Sequence, residues 1–215
     1  MMNTNHFYCT EARSRQTRDD VYRIRYDCYR RDNSIDPNSY ERFSDALDDS
    51  PNHFSYLLGS TEEALATVRM SVVRPDLNWT QSPALHVYGD CPAFQSIASE
   101  SYVEASRLCF APQARPNSFI SLLGNMAALA EFYSVRWLVA CPRLEQAKTY
   151  ERLFGFKPMA EPRTYYGVRF TAQLLAVSLD QLRSHVRHDR RMFQSWVSAL
   201  AEASQELPLE ELAFA

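Results

Sequence analysis

Residues 135–142, VRWLVACP, are apolar at almost every position over the length of one strand. A strand without polar alternation is covered on both faces, and such strands lie inside sheets that carry helices on each side. Just before it, SFISLLGNMAALAEFYS (118–134) repeats its apolar residues at helical spacing, with Asn117 or Ser118 in capping position. Before that, YVEASRLCF (102–110) has the β-branched and aromatic make-up of another interior strand. A helix between two buried strands reads as a crossover joining parallel neighbours.

The first of these strands contains a contradiction. Glu104 and Arg107 are charged in an otherwise apolar run, and a buried charge is costly unless it is paired. Strict alternation puts Glu104, Ser106 and Leu108 on one face and Val103, Ala105 and Arg107 on the other. Only a bulge brings Glu104 and Arg107 to the same side.

The remaining pattern builds around this unit. A strand is predicted over 6–12, then a helix in TRDDVYRIRYDCYRR starting near Thr17. A polar connection leads to strands 53–59 and 64–73. Residues 74–101 read as a long loop with at most a short helix. RLEQAKTYERLFGF is an amphipathic helix closing at Gly155, and one or two strands follow in 163–178. The fold class is α/β: a central mixed sheet flanked by helices, in the order β-α-β-β-β-α-β-α-β, followed by a C-terminal helix. Residues 1–178 form the domain. Residues 179–215 form a helical extension with Val186, Met192, Phe193, Trp196 and Leu200 on its apolar face. That face suits packing on the domain, covering a site, pairing of two copies or peripheral membrane contact.

Composition excludes several functions. With 23 basic and 26 acidic residues the net charge is -3, which argues against general nucleic-acid binding. No apolar run is long enough to span a membrane, and the N-terminal residues show no apolar leader. Five cysteines without C-x-x-C spacing and five scattered histidines predict a reducing, cytoplasmic setting and no metal site.

The helix-to-strand junction Tyr150-Glu-Arg-Leu-Phe-Gly155-Phe156 resembles the Y-x-x-x-G-F ending of the GNAT acyltransferase fold. The resemblance implies that Gly155 ends the helix in a left-handed conformation, that Phe156 turns into the core and that Tyr150 faces a thioester channel. The glycine-rich phosphate loop of that fold is replaced here by APQARPNSF. Without its glycines the backbone wraps a pyrophosphate less readily. That favours an acyl donor carried on the phosphopantetheine of acyl carrier protein over coenzyme A, with no other cofactor. Arg115, Arg143 and Arg136 are candidates to meet an acidic carrier surface.

Four further segments, in order, resemble the acyl-homoserine lactone (autoinducer) synthases: Arg25 with Tyr29, Asp45 with Asp48, Arg69 in its strand, and E-A-S-R at 104–107. The chain departs from them where they bind S-adenosylmethionine. It has no Trp between Arg25 and Asp45, Phe43 replaces a Glu, and VVRPD replaces their P-T. It is more similar to the related long-chain N-acyl amino acid synthases of the FeeM type. That resemblance implies transfer of a fatty acyl group from acyl carrier protein to the α-amine of an amino acid. An acyl-homoserine lactone synthase and a non-catalytic acyl-carrier or lipid-binding module are the alternatives.

An α-amine is mostly protonated near neutral pH, so attack on a thioester needs a base. Glu104 is the candidate, as base or ammonium anchor. Arg25, Arg107 and Arg69, with Asp45, Asp48 and Tyr29, would form a charge network that binds the acceptor carboxylate. Backbone N–H groups at Leu108, Cys109 and Phe110 would meet the oxyanion. Phe119, Leu122, Leu123, Met126, Trp137, Val139, Cys141 and Tyr150 are expected to line the acyl chain.

Overall fold

The computed structural model describes residues 8–60, 63–114, 118–165 and 167–187, with residues 194 and 197 beyond them. Strand β1 (Tyr8–Glu11) leads into helix α1 (Arg15–Arg31), followed by hairpin strands β2 (His53–Gly59) and β3 (Ala64–Val73). Helices α2 (Pro83–Tyr88) and α3 (Pro92–Ala98) precede β4 (Tyr102–Phe110). The crossover helix α4 (Ser118–Phe132) returns the chain to β5 (Trp137–Ala140). Helix α5 (Ala147–Phe154) and the short β6 (Lys157–Pro158), β7 (Arg163–Thr164) and β8 (Thr171–Ala172) lead to β9 (Leu175–Ser178) and α6 (Leu179–Val186).

Seven strands form one sheet in the order β1-β2-β3-β4-β5-β9-β6, and β7 pairs with β8 apart from it. Every pair is antiparallel except β4–β5, the parallel pair that the crossover requires. One face of the sheet packs on α4 and α5 through Val68, Met70, Val103, Leu122, Met126, Leu138 and Phe156. The other face meets α1 through Val21, Ile24, Leu57 and Cys109. It meets α2 and α3 through Tyr88, Phe94, Ile97, Tyr102 and Val139.

Two irregularities at β4 open this structure. The β4–β5 ladder runs from Tyr102–Trp137 to Ala105–Ala140 and stops, while β4 continues to Phe110. Beyond Ala105 the two strands border a wedge. On the other side, Thr67 pairs with Cys109 but Arg69 pairs with Ser106, so β4 carries one extra residue. Arg107 takes up that residue with φ at 54°, the left-handed region that a bulge demands and a side chain resists. The face pattern changes phase there. Leu108 joins the α4 face, and Arg107 joins Glu104 along one cavity, correcting strict alternation.

Other differences are local. Helix α1 starts two residues before Thr17, because Ser14 caps it by accepting the Thr17 N–H at 3.1 Å. Residues 74–101 hold two helices rather than a loop, each opened by a proline at its first turn, Pro83 and Pro92. Gly155 ends α5 with φ at 71°, and Phe156 is buried. Of the predicted C-terminal face, Val186 packs in the core. Met192, Phe193, Trp196 and Leu200 lie outside the described residues. Among the described residues no helix is long and apolar enough to cross a membrane.

Candidate active site

The bulge and the wedge bring the charges of the sequence together. A 3-10 turn at Ala46–Asp49 is closed by a reciprocal cap: Asp45 accepts the Leu47 N–H at 3.0 Å, and Asp48 accepts the Asp45 N–H at 3.0 Å. Both carboxylates then face the sheet. Arg25, fully buried on α1, donates to Asp48 at 2.7 Å and to Ser55 at 2.8 Å. Arg69 on β3 donates to Asp45 at 2.6 Å and to the Ser106 hydroxyl at 3.2 Å, and lies 3.2 Å from Asp48. Arg107, aimed by the bulge, donates to the second Asp45 oxygen at 2.8 Å. Its guanidinium stacks 4.4 Å from the Phe43 ring centroid, a cation–π contact.

Three arginines thus share two aspartates. Burial works against ionisation of Asp45, but the Arg69 and Arg107 guanidiniums outweigh it and hold the carboxyl far below the usual range. Asp48 is likewise lowered, burial being outweighed by Arg25 and Arg69. Burial lowers Arg25 despite its contact with Asp48.

Glu104 lies apart from this network. It is fully buried, and one oxygen accepts the Ala84 N–H at 2.9 Å. Ser82 caps the same end of α2 and bonds the Tyr102 hydroxyl at 2.8 Å. The second Glu104 oxygen has no hydrogen-bond partner among the described residues. Burial pushes the carboxyl up to about 7, against the Ala84 N–H. A carboxyl poised there changes protonation near neutral pH, as a general base must.

Two cavities meet at these residues. A cavity of about 450 Å³ on the α1 and α2 side is lined by Glu104, Arg69, Asp45 and His86 and by apolar residues including Leu47, Val168 and Phe170. A second, of about 160 Å³, fills the wedge between Ala105–Phe110 and Cys141–Arg143, with Tyr150 in its wall. Tyr29, Ser106, Arg107, Cys141 and Phe170 line both. The carbonyl of Phe110 at the wedge is taken by the Cys28 thiol and Arg31, each at 3.0 Å.

A sequence profile of the N-acyl amino acid synthase FeeM family matches residues 20–178, most of the chain. The chain belongs to this family. It is therefore an N-acyltransferase, which removes the non-catalytic alternative. No curated protein matches it significantly in sequence. Among solved structures, FeeM, an N-acyl amino acid synthase from uncultured soil microbes, superimposes with a TM-score of 0.69 at 16% identity, covering 84% of this chain and 94% of that one. A putative N-acetyltransferase from Lactobacillus plantarum gives 0.56 at 16% identity over 81% and 99%. BjaI, a coenzyme A-dependent acyl-homoserine lactone synthase, gives 0.58 at 13% identity over 90% and 97%. These likenesses establish the GNAT-like fold.

Of the predicted residues, Glu104, Arg107, Arg69, Asp45 and Tyr29 line the larger cavity; Leu108, Cys109 and Phe110 line the wedge. Arg25 and Asp48 line neither: Arg25 is buried and paired with Asp48 away from both cavities, which corrects its expected contact with substrate. The acyl-chain set is mostly misplaced. Phe119, Leu122, Leu123 and Met126 pack on the opposite face of the sheet, and Trp137 and Val139 pack with α2 and α3. Of that set, Cys141 and Tyr150 reach the two cavities of the site, and Leu123 lines a small separate cavity of about 20 Å³ between α4 and α6. Arg143 stands at the wedge, donating to Ser34 at 2.7 Å and meeting Asp32 at 3.0 Å. Arg136 pairs with Glu100 before the start of β5, at the closed end of the β4–β5 pair. Arg115 lies outside the described residues. Among the residues missed, Leu47 comes from the 3-10 turn, Pro83 and Val87 from the short helix α2, and Val168 and Phe170 from a loop, segments too short or irregular to give a periodic signal.

Proposed function

We propose that the enzyme moves a long-chain fatty acyl group from the thioester of acyl carrier protein to the α-amine of an amino acid. The observation that carries this reading is Glu104: a buried carboxyl pushed up to about 7, in the wall of the larger cavity, which Arg107 links to the wedge.

The pantetheine arm enters the wedge, and the amino acid occupies the larger cavity with its carboxylate on Arg107. Two features support that choice of cation. Arg107 lines both cavities. One of its terminal nitrogens is committed to Asp45, and the fork can still reach a planar carboxylate. Glu104 accepts a proton from the ammonium, and the freed nitrogen attacks the thioester carbon. The C–N bond forms, the C–S bond breaks, and the pantetheine thiolate leaves and is reprotonated. The β3–β4 ladder skips Arg107 and Leu108, which supports an oxyanion site on the β4 backbone. Phe43 stacks on Arg107 where the autoinducer synthases have a Glu, which supports an amino acid over S-adenosylmethionine.

The test supplies long-chain acyl carrier protein or acyl-coenzyme A with either the amino acids or S-adenosylmethionine, and identifies lipophilic products by mass spectrometry. Coenzyme A is included because BjaI depends on it. An N-acyl amino acid formed from the carrier-borne donor is expected. An acyl lactone, or product from coenzyme A alone, would replace this reading.

A further inference from the structure

Three polar atoms outside the charge network lie in one row across the sheet. His53 on β2 is the register partner of Ser71 on β3, and Ser71 is the partner of Glu104 on β4. Directly opposed residues share a face, with their Cβ atoms about 4.5–5.5 Å apart. In each of the three one buried polar atom has no hydrogen-bond partner among the described residues: Nε2 of His53, Oγ of Ser71 and Oε1 of Glu104. Buried polar atoms are seldom left so, and three in register mark a site rather than three defects.

The polarity of the row follows from its fixed end. Asn52 donates through its amide nitrogen to the carbonyls of Val72 and Gln81, each at 2.9 Å. Its oxygen must therefore face His53 Nδ1, 2.9 Å away, which makes Nδ1 the protonated nitrogen and Nε2 a bare acceptor. Burial and the neighbouring Arg69 lower His53 to about 4, so the ring stays neutral at working pH. The row is then an acceptor, a hydroxyl and a carboxyl.

We propose that Ser71 and His53 are positioning residues that keep the Glu104 carboxyl and the Ser71 hydroxyl both paired in either protonation state. The inference rests on Glu104 as the base. While Glu104 is ionised, the Ser71 O–H points towards Oε1 through one bridging water, since the two atoms make no direct hydrogen bond. When Glu104 takes the amine proton, its new O–H points to Ser71, and the Ser71 O–H turns to His53 Nε2. The proton moves only from nitrogen to Glu104; the rest of the row reorients. Glu104 is also faced by Arg69, Tyr102, Cys141 and Tyr165, and His53 by Arg69, Asp48, Asp45 and His86. The Ser82 and Tyr165 hydroxyls also face Glu104, but the Ser71 hydroxyl lies in register with both His53 and Glu104.

The arrangement requires shifts of opposite sign. Ser71→Ala removes the donor to the ionised carboxylate and raises the Glu104 pKa. His53→Leu removes the acceptor that favours the protonated form and lowers it. Each shift should be on the order of one pH unit: Ser71→Ala loses a hydrogen bond to the charged carboxylate, and His53→Leu loses a neutral one made only in the protonated state. The measurement is a carboxyl-carbon NMR titration of the full chain with labelled glutamate, assigned by Glu104→Gln, together with the acidic limb of kcat/KM against pH. Ser71→Thr and His53→Gln keep the hydroxyl and an acceptor, and should hold both readouts within about a third of a unit of the parent. Opposite shifts in the first two variants, absent in the conservative pair, support the proposal. Shifts of the same sign, or lost activity with an unmoved titration, overturn it. The NMR titration needs no turnover, so a failure of Glu104 as base is seen separately, as full activity in Glu104→Gln.

Discussion

Under the proposed function, Glu104 is the residue whose charge state sets activity and stability together. Its folded pKa, about 7, is raised above the ordinary carboxyl value by burial. The folded state therefore favours the proton. The stability this gives is fully present below the ordinary value and is lost as pH rises through about 7. Activity runs the other way, since the base must be ionised. Glu104→Gln keeps the size and stays neutral. It should lower kcat about 10²–10⁴-fold and abolish the acidic limb near pH 7. At pH 8 the variant should also be more stable than the parent, by something on the order of 3 kcal/mol. Urea unfolding at pH 5 and pH 8 checks this: the gain should appear at the higher pH only. A variant that loses stability at both would show that Glu104 braces the sheet. Glu104 was legible in the sequence because a charge in an apolar strand has a cost that something must offset. His53 and Ser71 were not, because a lone His and a Ser in strands carry no such signal until register aligns them.

At the scale of elements, the bulge in β4 decides the site. Arg107 holds φ at 54°, a conformation costing a side chain roughly 1–2 kcal/mol. Arg107→Ala loses the guanidinium and keeps the strain; Arg107→Gly loses the same group and relieves it. Both should lose carboxylate binding, seen as a raised KM for the amino acid. Arg107→Gly should be the more stable of the two by about 1 kcal/mol in denaturant unfolding; equal stabilities would mean that the bulge relaxes when the side chain goes. The 3-10 turn makes the second expectation. Asp48→Asn leaves Arg25 and Arg69 facing a neutral amide in the core and should cost about 3–5 kcal/mol. The crossover and the flanking helices were legible because periodicity repeats over many residues. The wedge and the bulge were not, because they depend on where two strands stop pairing. Residues 74–101 read as a loop with at most one short helix but hold two, α2 and α3, each opened by a first-turn proline and too short to show helical periodicity in the sequence. The acyl-chain set failed for a related reason: an apolar stripe on α4 looks the same whether it faces a tunnel or a filled core.

For the whole molecule, the proposed function brings a long substrate to one cavity and a small one to the other. The wedge opens past the end of β5, where Arg143 and Arg31 stand. An acidic carrier would be steered to such a mouth by charge, and steering acts on encounter more than on chemistry. Arg143 also has structural partners, Ser34, Asp32 and the Phe170 ring 4.6 Å from its guanidinium. Its replacement therefore needs a control donor without a protein surface. Arg143→Glu should raise KM for the carrier-borne acyl group about tenfold, as a lost charge contact of about 1.4 kcal/mol would. KM for an acyl-pantetheine of the same chain length should stay within about twofold, because it enters the same wedge with no acidic surface to place. Raising the salt concentration should weaken the parent toward the variant with the carrier donor, and leave both unchanged with the small thioester. Parallel loss with both donors would mean that Arg143 shapes the wedge through Phe170 and does not meet the carrier.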